Sequence, residues 1–390
     1  MSENISIEKL IPGGQAIGTM QDGKKIFLWN ALPEEIVTEY QITKQKSHFV
    51  EAVATKIEHP SAHRAEPKDS CFLSTSPWQI MDFDYELAQK QNLVAESLKQ
   101  EHVDLANIKI EPTQTDSNEW QYRNKMEYAL YWNHDLEKIQ LAFHGRGTHG
   151  KIPIEQSSIE KPAIFQKAQA IVDELNLSHD EARKYQSLLL RASQTGEVSG
   201  GLFENKKPHP VFNNLTDQIL GKTYSYSPNG FFQINLPVYE LALKEIAKNI
   251  ATKKVLDLYA GVGTIGLSVA AEKDLTLVEV NGAAFQELET NCKNTTAKPI
   301  LAKSEDALDY IEPNQTVILD PPRAGCDKKL IARLLEVAPE KLIYLSCNPS
   351  TQARDVKLLT EKYITERIIL FNFFPQTPHI ENLIIMTRIK

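Results

Sequence analysis

Cys347 lies in the stretch KLIYLSCNPSTQARD (341–355), an apolar run that stops at Ser-Cys-Asn-Pro. Such a run reads as a buried strand ended by its proline, which removes a backbone donor and fixes φ. Residues at the carboxyl ends of strands in open α/β sheets face the crevice where those sheets bind ligands. A thiol there is either a nucleophile or an inert small hydrophobe of the core, and the residue alone leaves both open. Two further segments point to the same cleft. ILDPPRAG (318–325) brings Asp320 to a strand end, and FPQTPHIEN (374–382) brings His379 and Glu381 to the start of the last strand. Singly, each acid reads equally well as a cap or an exposed turn charge. Together, a thiol, two carboxylates and an imidazole are the groups that covalent catalysis with proton transfer requires.

A second constellation lies upstream. DLYAGVGTIG (257–266) falls between a strand and a helix, and Gly261 and Gly263 allow turn geometries and close backbone approach closed to larger residues. A tight strand–helix connection would look the same. The turn is shorter than the G-x-G-x-x-G pyrophosphate fingerprint, however, and the next strand, LTLVEV, ends in Glu279, 22 residues after Asp257. An acid about 20 positions on is placed to hydrogen-bond ribose hydroxyls. With nothing suited to a pyrophosphate, S-adenosylmethionine is the expected cofactor and the class I methyltransferase fold the expected sheet.

The elements that must position these residues follow from the rest of the chain. Its 390 residues suggest two or three domains. A formal charge of −8 argues against broad, nonspecific nucleic-acid binding but leaves room for a local basic groove. The four cysteines (71, 292, 326 and 347) match neither a disulfide framework nor a zinc pattern and fit a reducing compartment. The start, MSENISIEKL, lacks a basic-then-apolar signal, and no apolar run approaches membrane-spanning length, so a cytoplasmic protein without membrane contacts is expected. Residues 5–57 alternate short β-like runs with glycine turns, the pattern of a small barrel. A Pro- and charge-rich linker is expected over 58–70, a helix over about 84–100, a hairpin within 105–155 and a helix near 162–176. From 236 onward strands alternate with helices, which predicts a mostly parallel sheet with an antiparallel edge formed by the last two strands. Between 120 and 151, rings and cations interleave (Trp120, Tyr122, Arg123, Lys125, Tyr131, Trp132). That suits base stacking and phosphate contact, or a hairpin with a ring-rich buried face.

The chain resembles the RNA uracil-5-methyltransferase family, whose members make 5-methyluridine in transfer or ribosomal RNA. The resemblance runs through ISIEKLIPGGQAIGTMQDGKKIFLWNALPEE, YRNKMEYAL, FHGRGTH (143–149), SPNGFFQINLPVYE, DLYAGVGTIGL, LDPPRAG and SCNPSTQARD, closing with PHIEN. It implies an α/β fold in three parts: an OB-like TRAM barrel that binds RNA (1–59), a mixed α+β central RNA-recognition domain (60–225) and a class I, Rossmann-like methyltransferase domain (226–390). It makes Cys347 the nucleophile, Glu381 the general base, and Gln233, Tyr259, Glu279 and Asp320, with Gly261, the cofactor site. Match to YRNKMEY implies RNA contact by Arg123, Asn124 and Lys125. The chemistry is coherent. Carbon 5 of uracil becomes nucleophilic once a thiolate adds to carbon 6, and a base must then remove the carbon 5 proton. The target uridine must be flipped or single-stranded, and the barrel favours 23S ribosomal RNA slightly over transfer RNA. Many relatives hold an iron–sulfur cluster on four cysteines. Here only Cys71 remains in the first region, and Ser157 and Ser158 stand near the fourth position, so neither a cluster nor another metal is expected. The competing readings are a noncatalytic RNA-binding protein and a nitrogen-directed methyltransferase. No obligate protein partner is legible.

Overall fold

The computed structural model describes residues 3–105, 108–147, 150–179, 181–205, 207–209 and 212–389. Five short strands open the chain: β1 (Ile5–Leu10), β2 (Ala16–Thr19), β3 (Lys25–Trp29), β4 (Ile36–Gln45) and β5 (Phe49–His59). Their inward residues, among them Ile5, Ile7, Ile26, Leu28 and Val50, are buried on alternate positions, as the pleat requires. The ring closes in the order β1-β2-β3-β5-β4, with β1 and β4 antiparallel and β3 and β5 parallel. The expected linker over 58–70 is not a free tether. Arg64 clamps the fully buried Glu35 through Nε at 2.6 Å and Nη2 at 2.7 Å, and the amides of Leu32 and Ser61 complete that carboxylate's shell. A buried charge is tolerated only when paired and hydrogen-bonded in this way.

After a single turn, α1 (Phe72–Thr75), comes α2 (Phe83–Gln100). Asp82 caps α2 by accepting from the Tyr85 amide at 2.8 Å. The buried face of α2 (Leu93, Val94, Leu98) packs in the same core as the C-terminal sheet.

The central part is a six-stranded antiparallel sheet. Its strands are β6 (Lys125–Asn133), β7 (Lys138–His144), β8 (Lys151–Pro153), β9 (Ser187–Ala192), β10 (Val198–Glu204) and β11 (Lys207–His209), in the order β11-β10-β9-β6-β7-β8. The helix α3 (Pro162–Leu177) starts with a proline and lays Ile164, Ala168, Val172 and Leu175 on the sheet. A separate hairpin, β12 (Leu215–Ile219) with β13 (Lys222–Tyr226), buries Leu215, Ile219, Tyr224 and Tyr226 in the core of the C-terminal part. Leu215, Ile219 and Tyr224 lie upstream of position 226, where the third part was expected to begin.

The remaining elements are α4 (Leu236–Lys248), β14 (Lys254–Leu258), α5 (Thr264–Ala270), β15 (Asp274–Glu279), α6 (Gly282–Asn291), β16 (Lys298–Leu301), β17 (Gln315–Leu319), α7 (Lys328–Val337), β18 (Lys341–Ser346), α8 (Pro349–Leu359), β19 (Tyr363–Phe371) and β20 (Glu381–Arg388). The sheet order is β16-β15-β14-β17-β18-β20-β19, parallel except for β20. This is the class I methyltransferase sheet. The last two strands do pair antiparallel, but β20 is not an edge; it is inserted between β18 and β19. Its first six residues are all buried, which a central position supplies, whereas β19 begins with alternating exposure and takes the edge. Alternation within the central strands divides the core. Val317 and Leu319 face α7, α8, α2 and the barrel, and Ile318 faces the opposite layer with α4 and α5. Among the described residues no helix is long and apolar enough to cross a membrane.

Candidate active site

The carboxyl ends of β14, β15, β17 and β18 converge, and each delivers one chemically active side chain. Cys347 follows β18 directly. Asn348 caps α8 by accepting from the Ser350 amide at 3.2 Å, and Pro349 opens that helix, so the chain reverses at the cysteine. Cys347 is half-buried, while Cys71, Cys292 and Cys326 are buried. Burial pushes the Cys347 thiol up to about 11, with Glu381 and Asp320 adding to the rise and Arg323 opposing it. Asp320 follows β17, and burial raises its carboxyl to about 7. Glu381 opens β20 at 6% exposure, and burial, followed by the charge of Asp320, holds its carboxyl well above the usual range, again against Arg323. Arg323 donates from Nη2 to His379 Nδ1 at 3.1 Å. Burial and then Arg323 and Lys90 depress His379 to about 4, so its ring is neutral and accepts at Nδ1.

The segment that leads into Glu381 is held from outside its own sheet. On α2, Glu86 and Lys90 form a fully buried ion pair at 2.7 Å. Lys90 donates to Asn372 Oδ1 at 2.6 Å, and Glu86 accepts the Gln376 amide at 2.9 Å. Tyr122 donates its hydroxyl to the Pro375 carbonyl at 2.9 Å, and the Trp78 amide donates to that of Gln376 at 3.1 Å. The same tryptophan donates its indole N–H to Gly14 of the barrel at 3.0 Å.

At the second constellation, the backbone turns through Tyr259 (φ +66°), Gly261 (+57°) and Gly263 (+88°). A Cβ on Gly263 would lie 2.6 Å from Leu288, whereas one on Gly261 would meet nothing within 4 Å. Gly261 thus borders open space. Glu279 locks the turn from the neighbouring strand. Its carboxylate accepts from the amides of Gly261 at 2.8 Å, Val280 at 2.9 Å and Asn281 at 2.6 Å. Asp257 is fully buried. Its Oδ2 accepts from the Gly266 amide at 2.8 Å, its Oδ1 has no partner among the described residues, and burial raises it to about 8.

One cleft of about 750 Å³ is bounded by Gln233, Tyr259, Gly261, Glu279, Asp320, Cys347 and Glu381, with Arg123 on its wall. All seven expected catalytic and cofactor residues therefore share a cavity. Of the three expected RNA contacts, only Arg123 lines it. Asn124 is 1% exposed and donates to the Gln233 carbonyl at 3.1 Å, and Lys125 donates to the carbonyls of Asn229 and Gly230, each at 3.1 Å. Together with buried Arg191, which donates to Gly230 at 3.2 Å and to Phe232, they strap the 227–233 loop in place. Burial removes Asn124 from direct RNA contact, whereas the Lys125 ammonium keeps a third N–H beyond its two carbonyl bonds.

Sequence reasoning missed Arg323, whose signal was its place after Pro-Pro in LDPPRAG, and Phe231, 74% exposed on the cleft wall. Trp78, Glu86 and Lys90 carried no signal, since their importance arises only from contacts distant in sequence. Around Cys71, where the cysteine pattern is incomplete, Asp69 accepts the Ser158 amide and hydroxyl and the side-chain amide of Gln79. Among the described residues no group of three or more His, Cys, Asp or Glu could hold a metal ion. In FHGRGTH, Thr148 and His149 lie outside the described residues.

Residues 304–389 match the family model of tRNA (uracil-5-)-methyltransferases, and residues 239–344 match that of the methyltransferase small domain. An uncharacterized RNA methyltransferase of Lactiplantibacillus plantarum is 30% identical over 450 aligned positions, covering 99% of this chain and 97% of that protein. The chain belongs to the RNA uracil-5-methyltransferase family. Another uncharacterized RNA methyltransferase, from Bacillus anthracis, is 28% identical over 98% of the chain and 96% of its own length. The crystal structure of the Pyrococcus abyssi tRNA (uracil-54, C5)-methyltransferase, in complex with S-adenosyl-L-homocysteine, superposes with a TM-score of 0.76 at 23% identity, covering 99% of this chain and all of that one. The fold of this RNA uracil-5-methyltransferase family member is therefore shared end to end with that enzyme. It is an RNA methyltransferase, and the cleft at Cys347 is its candidate active site.

Proposed function

We propose that this enzyme forms 5-methyluridine in RNA, with Cys347 as nucleophile and Glu381 as general base. The observation that carries the reading is that the half-buried thiol, the buried carboxyl and the Gly261–Glu279 turn border one cavity. A nitrogen-directed methyltransferase has no use for that thiol, and a binding protein has no use for a carboxyl buried at such electrostatic cost.

S-adenosylmethionine fits the residues present. Gly261 faces open space, Glu279 offers carboxylate oxygens beside it, and Gln233, Tyr259 and Asp320 complete the wall. When bound, it supplies an electrophilic methyl group. Cys347 adds as thiolate to carbon 6 of the flipped uracil, which places electron density on carbon 5. Arg323 is the cation that favours the thiolate, and it opposes the raising effects of burial and of the nearby acids. Once carbon 5 is methylated, Glu381 accepts its proton, and the electron pair of that C–H bond expels the Cys347 thiolate. The raised pKa of Glu381 makes it a stronger base than an exposed carboxylate, as this proton transfer needs.

The test supplies labelled S-adenosylmethionine and unmodified transfer RNA or 23S ribosomal RNA, followed by nucleoside mass spectrometry. Label in 5-methyluridine, lost in Cys347→Ala, is the expected result, and the RNA that carries it identifies the substrate class. Label in any other nucleoside, or turnover retained by Cys347→Ala, overturns the mechanism.

A further inference from the structure

A second cavity, of about 450 Å³, also reaches Cys347 and shares Arg323 and His379 with the first. Its remaining walls come from several different parts of the chain. The barrel contributes Pro12 and Gly13, α2 contributes Leu93 and Ser97, and α8 contributes Ser350, with Arg146 reaching in from the central sheet.

The two cavities differ in charge. The cofactor cleft carries Glu279, Glu287, Asp320 and Glu381. Among the described residues no aspartate or glutamate lines the second groove, although the chain as a whole is acidic at −8. Two guanidiniums face it instead. That of Arg146 is fixed in advance: it stacks 4.2 Å above the Trp29 ring of the barrel, and its Nε donates to the Leu73 carbonyl at 2.5 Å. A pre-oriented guanidinium loses little freedom when it takes up a phosphate. Both Arg323 and Arg146 are close enough to act electrostatically on His379 at the junction. Between the cations the walls mix apolar surface from Pro77, Pro378, Leu93 and Ile380 with the polar side chains of Thr75, Ser97 and Thr377. Proline surface, hydrogen-bonding side chains and cations around one groove match one nucleotide, a base with its phosphate.

We propose that this groove seats the nucleotide adjacent to the methylated uridine, its phosphate on Arg146 and Arg323 and its base against the proline-rich wall. The inference rests on the uracil-5 reading, because it takes Cys347 as the point where the target base stands. It assigns the barrel a part in the substrate site itself, since Pro12, Gly13 and the Trp29 platform belong to it.

The experiment compares the wild type with Arg146→Gln and Ser350→Glu. Equilibrium affinity is measured for unmodified transfer RNA and 23S ribosomal RNA transcripts across a salt series, alongside affinity for S-adenosylmethionine. Ser350→Glu keeps Arg146 on Trp29 and places a carboxylate in the first turn of α8, where the helix dipole welcomes it. It therefore separates charge from folding. The expected result is roughly tenfold weaker RNA binding in each variant, the size of a lost charge-assisted contact. For Arg146→Gln the slope of log affinity against log salt should also fall by about 0.7, with cofactor affinity at the wild-type value. Wild-type RNA affinity and salt slope in both variants overturn the groove. Methyl transfer by the wild type is read separately, so failure of the uracil-5 reading appears as absent 5-methyluridine and failure of the groove as unchanged variant affinities.

Discussion

The indole N–H of Trp78 donates to the carbonyl oxygen of Gly14 at 3.0 Å, and the space where a Gly14 side chain would stand is filled by Pro378, 2.3 Å from the ideal Cβ position. The barrel therefore rests on the residue directly before His379. Gly14 has φ of +97°, so an alanine there is strained as well as crowded. Gly14→Ala is expected to shift Pro378 and lower kcat for methyl transfer by tenfold or more, while S-adenosylmethionine affinity stays near the wild-type value. Trp78→Phe removes the hydrogen bond and part of a fully buried ring, and should cost at least about 1 kcal/mol of stability. Steady-state kinetics and thermal melts of the two variants check this.

Glu381→Gln should stop turnover and also stabilise the protein. Its folded pKa is raised by burial, so the folded state binds that proton more tightly than the unfolded chain. The stability it contributes is present below the unfolded carboxylate value and is lost as pH rises toward the folded one. At neutral pH the neutral glutamine removes that cost, and Tm should rise by a few degrees. Since only the last proton transfer is blocked, a covalent protein–RNA adduct should accumulate, visible as a retarded band on a denaturing gel.

Turnover should increase with pH. The free thiol of Cys347 titrates at about 11, and the raised carboxyl of Glu381 must also lose its proton to act as a base. Below these values the active protonation state grows with each step upward, so kcat/KM for RNA should climb from about pH 6 to about pH 9. Arg323→Gln removes the charge that opposes the rise on both groups. Its profile should move to higher pH, as a rate series across pH on the two proteins would show.

Glu279→Ala leaves three backbone amides, those of Gly261, Val280 and Asn281, without their acceptor. The turn that borders the cofactor space should loosen, with S-adenosylmethionine affinity falling at least about tenfold and stability by about 1–3 kcal/mol. Calorimetric titration and denaturant unfolding provide the two readings.

Lys90→Met strands Glu86, which is 0% exposed, as an unpaired buried charge. Breaking such a pair costs about 3–5 kcal/mol. Urea unfolding should show that loss, and the double variant Lys90→Met with Glu86→Gln should recover part of it. Both should depress kcat, because the 372–377 segment loses bonds that these two side chains supply.

Most of the site was legible as short motifs because the chemistry is carried at strand ends. In SCNP, LDPP and DLYAGVG, an apolar run followed by proline or glycine marks both the strand and the place where it stops. Short β-like runs separated by glycine turns over 5–57 and the helical spacing of Leu93, Val94 and Leu98 made the barrel and α2 equally readable. Asn124 and Lys125 show the limit. Their residue types suit phosphate and base contact, yet whether a donor faces solvent or a carbonyl depends on a loop about 100 residues further along.

By itself, the sequence determined the class I sheet, the barrel and the strand–helix turn at Gly261, since each follows from local periodicity and turn residues, while the expected roles of Cys347 and Glu381 came from the family resemblance. Tertiary structure alone decided that β20 lies inside the sheet, that Arg323 lines the same cleft as Cys347 and Glu381, and that Trp78, Glu86 and Lys90 hold the segment leading to Glu381. It also decided that two cavities of unlike charge meet at one cysteine. These are relations between side chains far apart in the chain, and packing rather than local propensity brings them together.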